Sequence, residues 1–366
     1  MPSNHSPTTE QLAAVESELP ATVVSAAPGS GKTTVLAARI AWLIRNLVPP
    51  EQILALTFTR SACQEIRQRV QREIGALAER VRIETFHGYA WSVLREPSLS
   101  VATEVEAQQA IRSIIEGPTR RRGTPGLRAI EEAIIDHESG RGFGPHADAL
   151  RLIVFRLREA GLVPTWDLVP SIERREESFD HVLVDEAQDV TPREAQLVRR
   201  LTDGTLFAVF DRAQAIMGWR GGIGIDWPVT HRLSQSFRFG PEIAAAANTI
   251  AVRMGTDPVV GAGPAGQVIE GSIEQILEAE GTRAVLCRTH RECEWVARDL
   301  GPLAVHVTRD LRDALDSNAN RFEGIARAVK IAVATIHAAK GREWDSVAVV
   351  PWEHRENEDL RVEDVA

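Results

Sequence analysis

Cysteine is scarce: there are three in 366 residues, Cys63, Cys287 and Cys293. The odd count and the lack of any Cys-x-x-Cys spacing exclude a disulfide framework and a zinc ribbon, and the three read as core thiols. No apolar run approaches the ~20 residues needed to cross a bilayer, and residues 1–5 carry no basic-then-apolar leader pattern. No membrane partner is expected, and the chain reads as cytoplasmic. Lysine is as scarce as cysteine. Lys32, Lys330 and Lys340 are the only three among 42 basic residues, so these positions stand out in a chain that uses arginine for almost every positive charge. Internal repeats and low-complexity tracts are absent. His5, His137, His146 and His181 show no ligand spacing, so no metal is assigned to them.

What is present is the composition of a soluble globular protein of two or three domains, 43% hydrophobic, with 51 acidic residues and a net charge of −9. A disordered acidic chain and a collagen-like fibre are excluded. Residues 351–366 hold six acids and two arginines, nearly half of the net charge. The rest is close to balanced, and affinity for phosphate depends on local clusters more than on the total.

Short β-branched runs at 22–25, 53–57, 82–85, 181–184 and 206–210 are each followed by a helical pattern, the mark of a parallel sheet covered on both faces. A second series lies at 284–287, 304–307, 330–334 and 346–350. The predicted fold is α/β with two domains. Between 91 and 179 the strand signals largely vanish, and the segment reads as a compact helical insertion. The expected boundaries are 1–90 with 179–232 for the first domain, 91–178 for the insertion, and 233–366 for the second domain, with 255–266 as a loop inside it.

The strongest single signal is Ala27-Pro28-Gly29-Ser30-Gly31-Lys32-Thr33-Thr34, between an apolar strand and a helical run. In a P-loop of this kind, backbone N–H groups and the helix N-terminus cradle β- and γ-phosphates, Lys32 neutralises them, and the Thr33 hydroxyl binds Mg²⁺. The match is to the Gly-x-Gly-Lys-Thr core, because the strict form has a further glycine where this chain has alanine. A Mg-triphosphate site also needs an acid at the end of a neighbouring strand. Val184-Asp185-Glu186-Ala187-Gln188-Asp189 supplies adjacent carboxylates, one able to hold Mg²⁺ and one placed to orient or deprotonate the attacking water.

Further motifs follow in a fixed order: Thr9-Glu10-Gln11, Leu56-Thr57-Phe58-Thr59-Arg60-Ser61-Ala62, Thr85-Phe86-His87-Gly88, Phe210-Asp211-Arg212-Ala213-Gln214 with Met217-Gly218-Trp219-Arg220-Gly221, Leu233-Ser234-Gln235-Ser236-Phe237-Arg238, and Thr335-Ile336-His337-Ala338-Ala339-Lys340-Gly341-Arg342-Glu343. With these the chain resembles the UvrD/PcrA/Rep group of superfamily I DNA helicases over most of its length.

The resemblance implies two RecA-like P-loop domains, with ATP and Mg²⁺ as cofactors and single-stranded DNA, including single/double-strand junctions, as partner. It implies that Gln11 reads the adenine edge, Phe237 stacks on the base, and Gln214 and Arg238 reach the γ-phosphate, Arg238 as an arginine finger from the second domain. Gly341 and Glu343 would contact the nucleotide, Glu343 at the ribose. Phe58, Thr59, Thr85, His87, Trp219, Arg220, Thr335 and His337 would line the strand groove. Aromatic faces suit a motor that tolerates any sequence, because every base has a π-face worth ~1–3 kcal/mol in stacking.

The chain departs from the group in three ways. The stretch between Arg238 and Ile331 is too short for the group's large accessory insertion, so duplex engagement is expected to be lacking or delegated to a partner. The group's last motif, with an arginine at the γ-phosphate, has no counterpart, and the second domain is expected to be incomplete at its C-terminus. Arg60-Ser61 replace the usual Asn-Lys, and Met217 the usual Tyr. Two function classes stay open: an ATP-dependent 3′-to-5′ translocase or helicase, and a nucleotide-gated strand-binding module with weak or partner-dependent turnover. A small-molecule kinase would explain only the phosphate loop.

Overall fold

The computed structural model describes residues 6–94, 96–116, 125–141, 144, 146–172, 177–218, 221–222, 224, 227–307 and 331–350. The chain divides into two compact units, Met1–Gly266 and Gln267–Ala366.

The first unit contains strands β1 (Ala21–Ala26), β2 (Ile53–Thr57), β3 (Arg82–Thr85), β4 (Ser100–Val101), β5 (Leu162–Val163), β6 (Phe179–Val184), β7 (Thr202–Phe210) and β8 (His231–Leu233). Six of them form one sheet in the order β3-β2-β6-β7-β1-β8, with every pair parallel. β2 is buried at all five residues, as a strand covered on both faces must be.

Helices α1 (Thr9–Val15), α2 (Lys32–Arg45) and α3 (Arg60–Ile74) belong to one side, where Leu36, Ile40, Ile66 and Val70 pack against Ile53, Leu183 and Val209. Arg39 lies within this layer, 3% exposed. Its guanidinium sits 4.5 Å from the Trp42 ring and donates to the Val15 carbonyl at 2.7 Å. Burial lowers its pKa to about 10, which still leaves it charged at neutral pH, and the bond holds the end of α1 against α2.

The other face begins with α4 (Phe86–Leu94). The chain then leaves the sheet for α5 (Glu104–Ile115), α6 (Leu127–Ser139) and α7 (Ala147–Glu159), which share a small core of Ile111, Ile114, Ile130, Ile153 and Leu157. β4 and β5 form a two-residue parallel pair beside them. The chain returns through α8 (Thr165–Ser171) and α9 (Pro192–Leu201), whose Leu168 and Leu197 join Phe86, Tyr89 and Val182 in the second core layer. Asp167 pins the excursion down, accepting from His137 Nε2 at 2.8 Å and from Arg158 Nη2 at 2.9 Å.

Residues 233–266, assigned from sequence to the second domain, pack with the first unit. The physical reason is strand pairing: β8 continues the sheet beside β1, with Ala26 opposite Leu233. Beyond it, β9 (Gln235–Ser236) pairs in parallel with β10 (Val260–Gly261) around α10 (Pro241–Met254). The stretch 255–266, read as a loop, thus contains a short strand.

The second unit contains β11 (Arg283–Cys287), β12 (Ala304–His306), β13 (Ile331–Thr335) and β14 (Ser346–Val349), a parallel sheet in the order β12-β13-β11-β14. Helix α11 (His290–Asp299) contributes Cys293 and Val296 to a core with Val285, Cys287, Ile331 and Val333. All three cysteines are free and buried. Among the described residues no helix is long and apolar enough to cross a membrane.

Candidate functional site

β1 ends at Ala26, and α2 begins at Lys32 after a five-residue loop. Gly29 and Gly31 have φ of +74° and +84°, a region that side-chain-bearing residues rarely adopt. Gly31 is the cap residue of α2 and offers no side-chain acceptor. The first-turn N–H groups, with the positive end of a 14-residue helix, therefore suit an anion. Ala27, Pro28 and Thr33 are half-buried, Ser30 is buried, and Thr34 is exposed, where its hydroxyl accepts from Arg69 Nη1 at 2.6 Å.

Lys32 Nζ lies 3.4 Å from Asp211 Oδ2, with both side chains at most 10% exposed. Asp211 follows β7, and its burial raises its pKa despite the lysine. Asp185 follows β6 and donates its N–H to the Leu56 carbonyl at 2.9 Å. Its Oδ1 is buried without a hydrogen-bond partner. Burial, and then repulsion from Glu186, push its pKa up to about 7 against the pull of Lys32. Glu186 has a left-handed backbone, φ +51°, a strain of the kind found where a side chain must be aimed. Gln188 holds that side chain: its Nε2 donates to Glu186 Oε2, while its Oε1 accepts the Asp211 N–H at 3.0 Å.

Two buried carboxylates, Asp185 and Asp211, share the field of one lysine, with Glu186 adding negative charge beside them, and the orphaned Oδ1 of Asp185 is the kind of oxygen a divalent cation satisfies. The chemistry of this donor set therefore fits a divalent cation such as Mg²⁺. Among the described residues no three His, Cys, Asp or Glu side chains form a metal cage, so phosphate oxygens and water would fill the remaining positions.

Gln11 sits on the first turn of α1, beside the loop. Its Nε2 donates to the Ser30 carbonyl at 2.9 Å, and its Oε1 accepts the Thr8 N–H at 2.9 Å in a capping box. One amide hydrogen and one lone pair remain, enough to read an adenine edge. The Phe237 N–H donates to the Gly29 carbonyl at 2.9 Å. A Cβ on Gly29 would come within 2.6 Å of Arg238 Cβ. Phe237 and the exposed Arg238 thus stand against the phosphate loop, inside the same unit. Gln214 is half-buried in the turn after Asp211.

The described residues expected at the nucleic-acid strand lie at or just after strand-to-helix junctions. Half-buried Phe58 follows β2, its ring 5.2 Å from that of Phe86 and packed on the core. Thr59 caps α3 through the Ala62 N–H at 3.1 Å. Thr85 accepts the Gly88 N–H at 2.9 Å, and His87 Nε2 lies 3.4 Å from Glu138 Oε1 of α6. Trp219 and Arg220 lie outside the described residues, as do Lys330 and residues 351–366. In the second unit Thr335 caps a short helix, Ile336–Ala339, which carries His337; Gly341 has φ +79° and Glu343 is exposed.

Sequence reasoning missed the partners that hold the site together. Asp211 and Gln188 lay within recognised motifs but were given no role: the contacts of Asp211 with Lys32 and with Gln188 depend on tertiary proximity, and the bond from Gln188 to Glu186, two residues away, depends on the left-handed turn at Glu186.

The sequence profile of the UvrD/REP helicase N-terminal domain matches residues 7–124 and 163–224. The chain is 31% identical over 303 residues to the ATP-dependent DNA helicase UvrD1 of Mycobacterium leprae, covering 67% of this chain and 39% of that protein. It is 27% identical over 286 residues to the ATP-dependent DNA helicase PcrA of Staphylococcus aureus, covering 66% and 39%. The chain thus spans about two fifths of the length of the curated relatives it matches. The gap in the profile match, 125–162, falls on α6 and α7, and the matched parts carry the phosphate loop, Asp185 and Asp211. These residues place the chain in the UvrD/REP helicase family, through that family's N-terminal domain.

Proposed function

We propose that this chain hydrolyses ATP and uses the cycle to move along single-stranded DNA, as a 3′-to-5′ translocase or helicase acting in the cytoplasm. The observation that carries the proposal is the convergence of Lys32, Asp185, Glu186, Gln188 and Asp211 at the phosphate loop.

Loop N–H groups and Lys32 would bind the β- and γ-phosphates. Bound Mg²⁺, held by Thr33 and Asp185, would supply charge neutralisation at the transferring phosphoryl group. Glu186, aimed by Gln188, would take the proton of the attacking water, while the leaving oxygen departs with ADP. Gln11 would select adenine, Phe237 would stack on it, and Arg238 and Gln214 would stabilise charge at the γ-phosphate. Arg238 would act from within the first unit.

Gly341 and Glu343 are proposed nucleotide contacts, and Phe58, Thr59, Thr85, His87, Trp219, Arg220, Thr335 and His337 proposed strand contacts. Together they would couple the second RecA-like unit to the cycle. Junction binding and a protein partner for duplex engagement complete the proposal.

The experiment is strand-stimulated ATP hydrolysis with Lys32→Ala as blank. Activity well above the blank supports a motor. A nucleotide-dependent change in strand affinity with no phosphate release would instead indicate a nucleotide-gated binding module, and the absence of both would defeat either reading.

A further inference from the structure

The helix that carries Gln11 also grips the segment that carries Phe237 and Arg238. Glu10, one residue before Gln11, accepts the Ser234 N–H at 2.8 Å through Oε2 and the Ser234 hydroxyl at 2.8 Å through Oε1. The partners lie 224 residues apart in sequence. An acid in the first turn of a helix is ordinarily explained by the dipole, but that explanation does not call for both oxygens to be spent on one distant residue. Ser234 sits between β8 and β9, three residues before Phe237, whose N–H is fixed to the Gly29 carbonyl at 2.9 Å.

Adjacent residues of α1 therefore bind both walls of the site: Gln11 holds the loop at Ser30, and Glu10 holds the 234–238 segment. α1 is itself a firm support, with a capping box at its start and the Arg39 bond to Val15 at its end. Any tilt of α1 that follows a base seated on Gln11 would be transmitted through Glu10 to the backbone that carries Phe237 and Arg238.

We propose that Glu10 is a positioning residue that links recognition of the base at Gln11 to the placement of Phe237 and Arg238, so that nucleotide identity is expressed in turnover as well as in binding. The proposal rests on the nucleotide function proposed above. Both oxygens are exposed, so the effect is moderate: losing one or two hydrogen bonds to a charged group near the surface corresponds to roughly three- to tenfold.

The test compares Glu10→Ala, Glu10→Gln and Ser234→Ala with the wild type, reading kcat and KM for ATP and GTP with single-stranded DNA, alongside thermal melting. Glu10→Ala should lower kcat for ATP by roughly three- to tenfold and narrow the ATP-over-GTP ratio of kcat/KM. Glu10→Gln keeps an acceptor for the Ser234 N–H, and Ser234→Ala loses only the hydroxyl bond, so both should fall in between. If Glu10→Ala melts much lower than wild type, the two milder variants decide, and a wild-type ATP-over-GTP ratio in both overturns the proposal. Wild-type protein that hydrolyses no more than Lys32→Ala defeats the hydrolytic reading and the turnover half of this one, and its binding half is decided separately. The coupling is then read from the affinities of N-methylanthraniloyl-ATP and N-methylanthraniloyl-GTP, whose ratio Glu10→Ala must narrow; an unchanged ratio overturns it.

Discussion

Lys32 and Asp211, 179 residues apart in sequence, meet at 3.4 Å beside the phosphate loop. The lysine is thereby held by an acid at the end of β7, and a triphosphate would have to compete with that acid for the Nζ. Removing the charge should favour the anion while loosening the lysine. Asp211→Asn is therefore expected to bind ATP several-fold more tightly and to turn it over about tenfold more slowly. Equilibrium binding and steady-state kinetics check this, and unchanged values for both would remove Asp211 from the site.

Glu186→Gln keeps a side chain able to meet Gln188 but loses the base. Hydrolysis should fall by ~10²–10⁴ while nucleotide affinity stays within a few-fold of wild type. Single-turnover hydrolysis separates this from a binding defect, and near-wild-type turnover would move the general base elsewhere.

Gly29→Ala places a Cβ within 2.6 Å of both Arg238 Cβ and Ser236 Oγ, at a backbone with φ +74°. Strain and clash together should cost about 1–3 kcal/mol of stability and lower nucleotide affinity by at least tenfold. Thermal melting and fluorescent-nucleotide titration are the readouts.

Asp167 supplies a pH test of the helical insertion. Burial pushes its carboxyl up, but the hydrogen bonds and charges of His137 and Arg158 outweigh burial, and its pKa lies below the ordinary value. A depressed carboxylate stabilises the fold fully above its unfolded pKa of about 4, and that contribution is lost as pH falls through the lower folded value. Asp167→Asn should cost about 2 kcal/mol near pH 7, less than the ~3–5 kcal/mol of a fully buried pair because Arg158 is 35% exposed. The difference from wild type should shrink below about pH 4 in denaturant melts. A constant difference down to pH 2 would contradict the assignment.

The phosphate loop and the strand before Asp185 were legible because their chemistry is local: glycines at positive φ, an apolar strand, a helix start and adjacent acids. Most sheet strands were legible too, since a strand buried on both faces shows as a continuous apolar run. β8 was not, because three residues with one buried side chain carry little pattern. Its pairing with β1 decides where residues 233–266 pack. Glu10–Ser234, Lys32–Asp211 and the Gln188 bond to the Asp211 N–H were invisible for another reason: each residue was in plain view, but the bond exists only once segments apart in sequence meet.

The most direct measurement is steady-state ATP hydrolysis by the chain with and without single-stranded DNA, against Lys32→Ala. The account predicts phosphate release above the blank and a rise on adding DNA. Wild-type protein indistinguishable from Lys32→Ala under both conditions would contradict it.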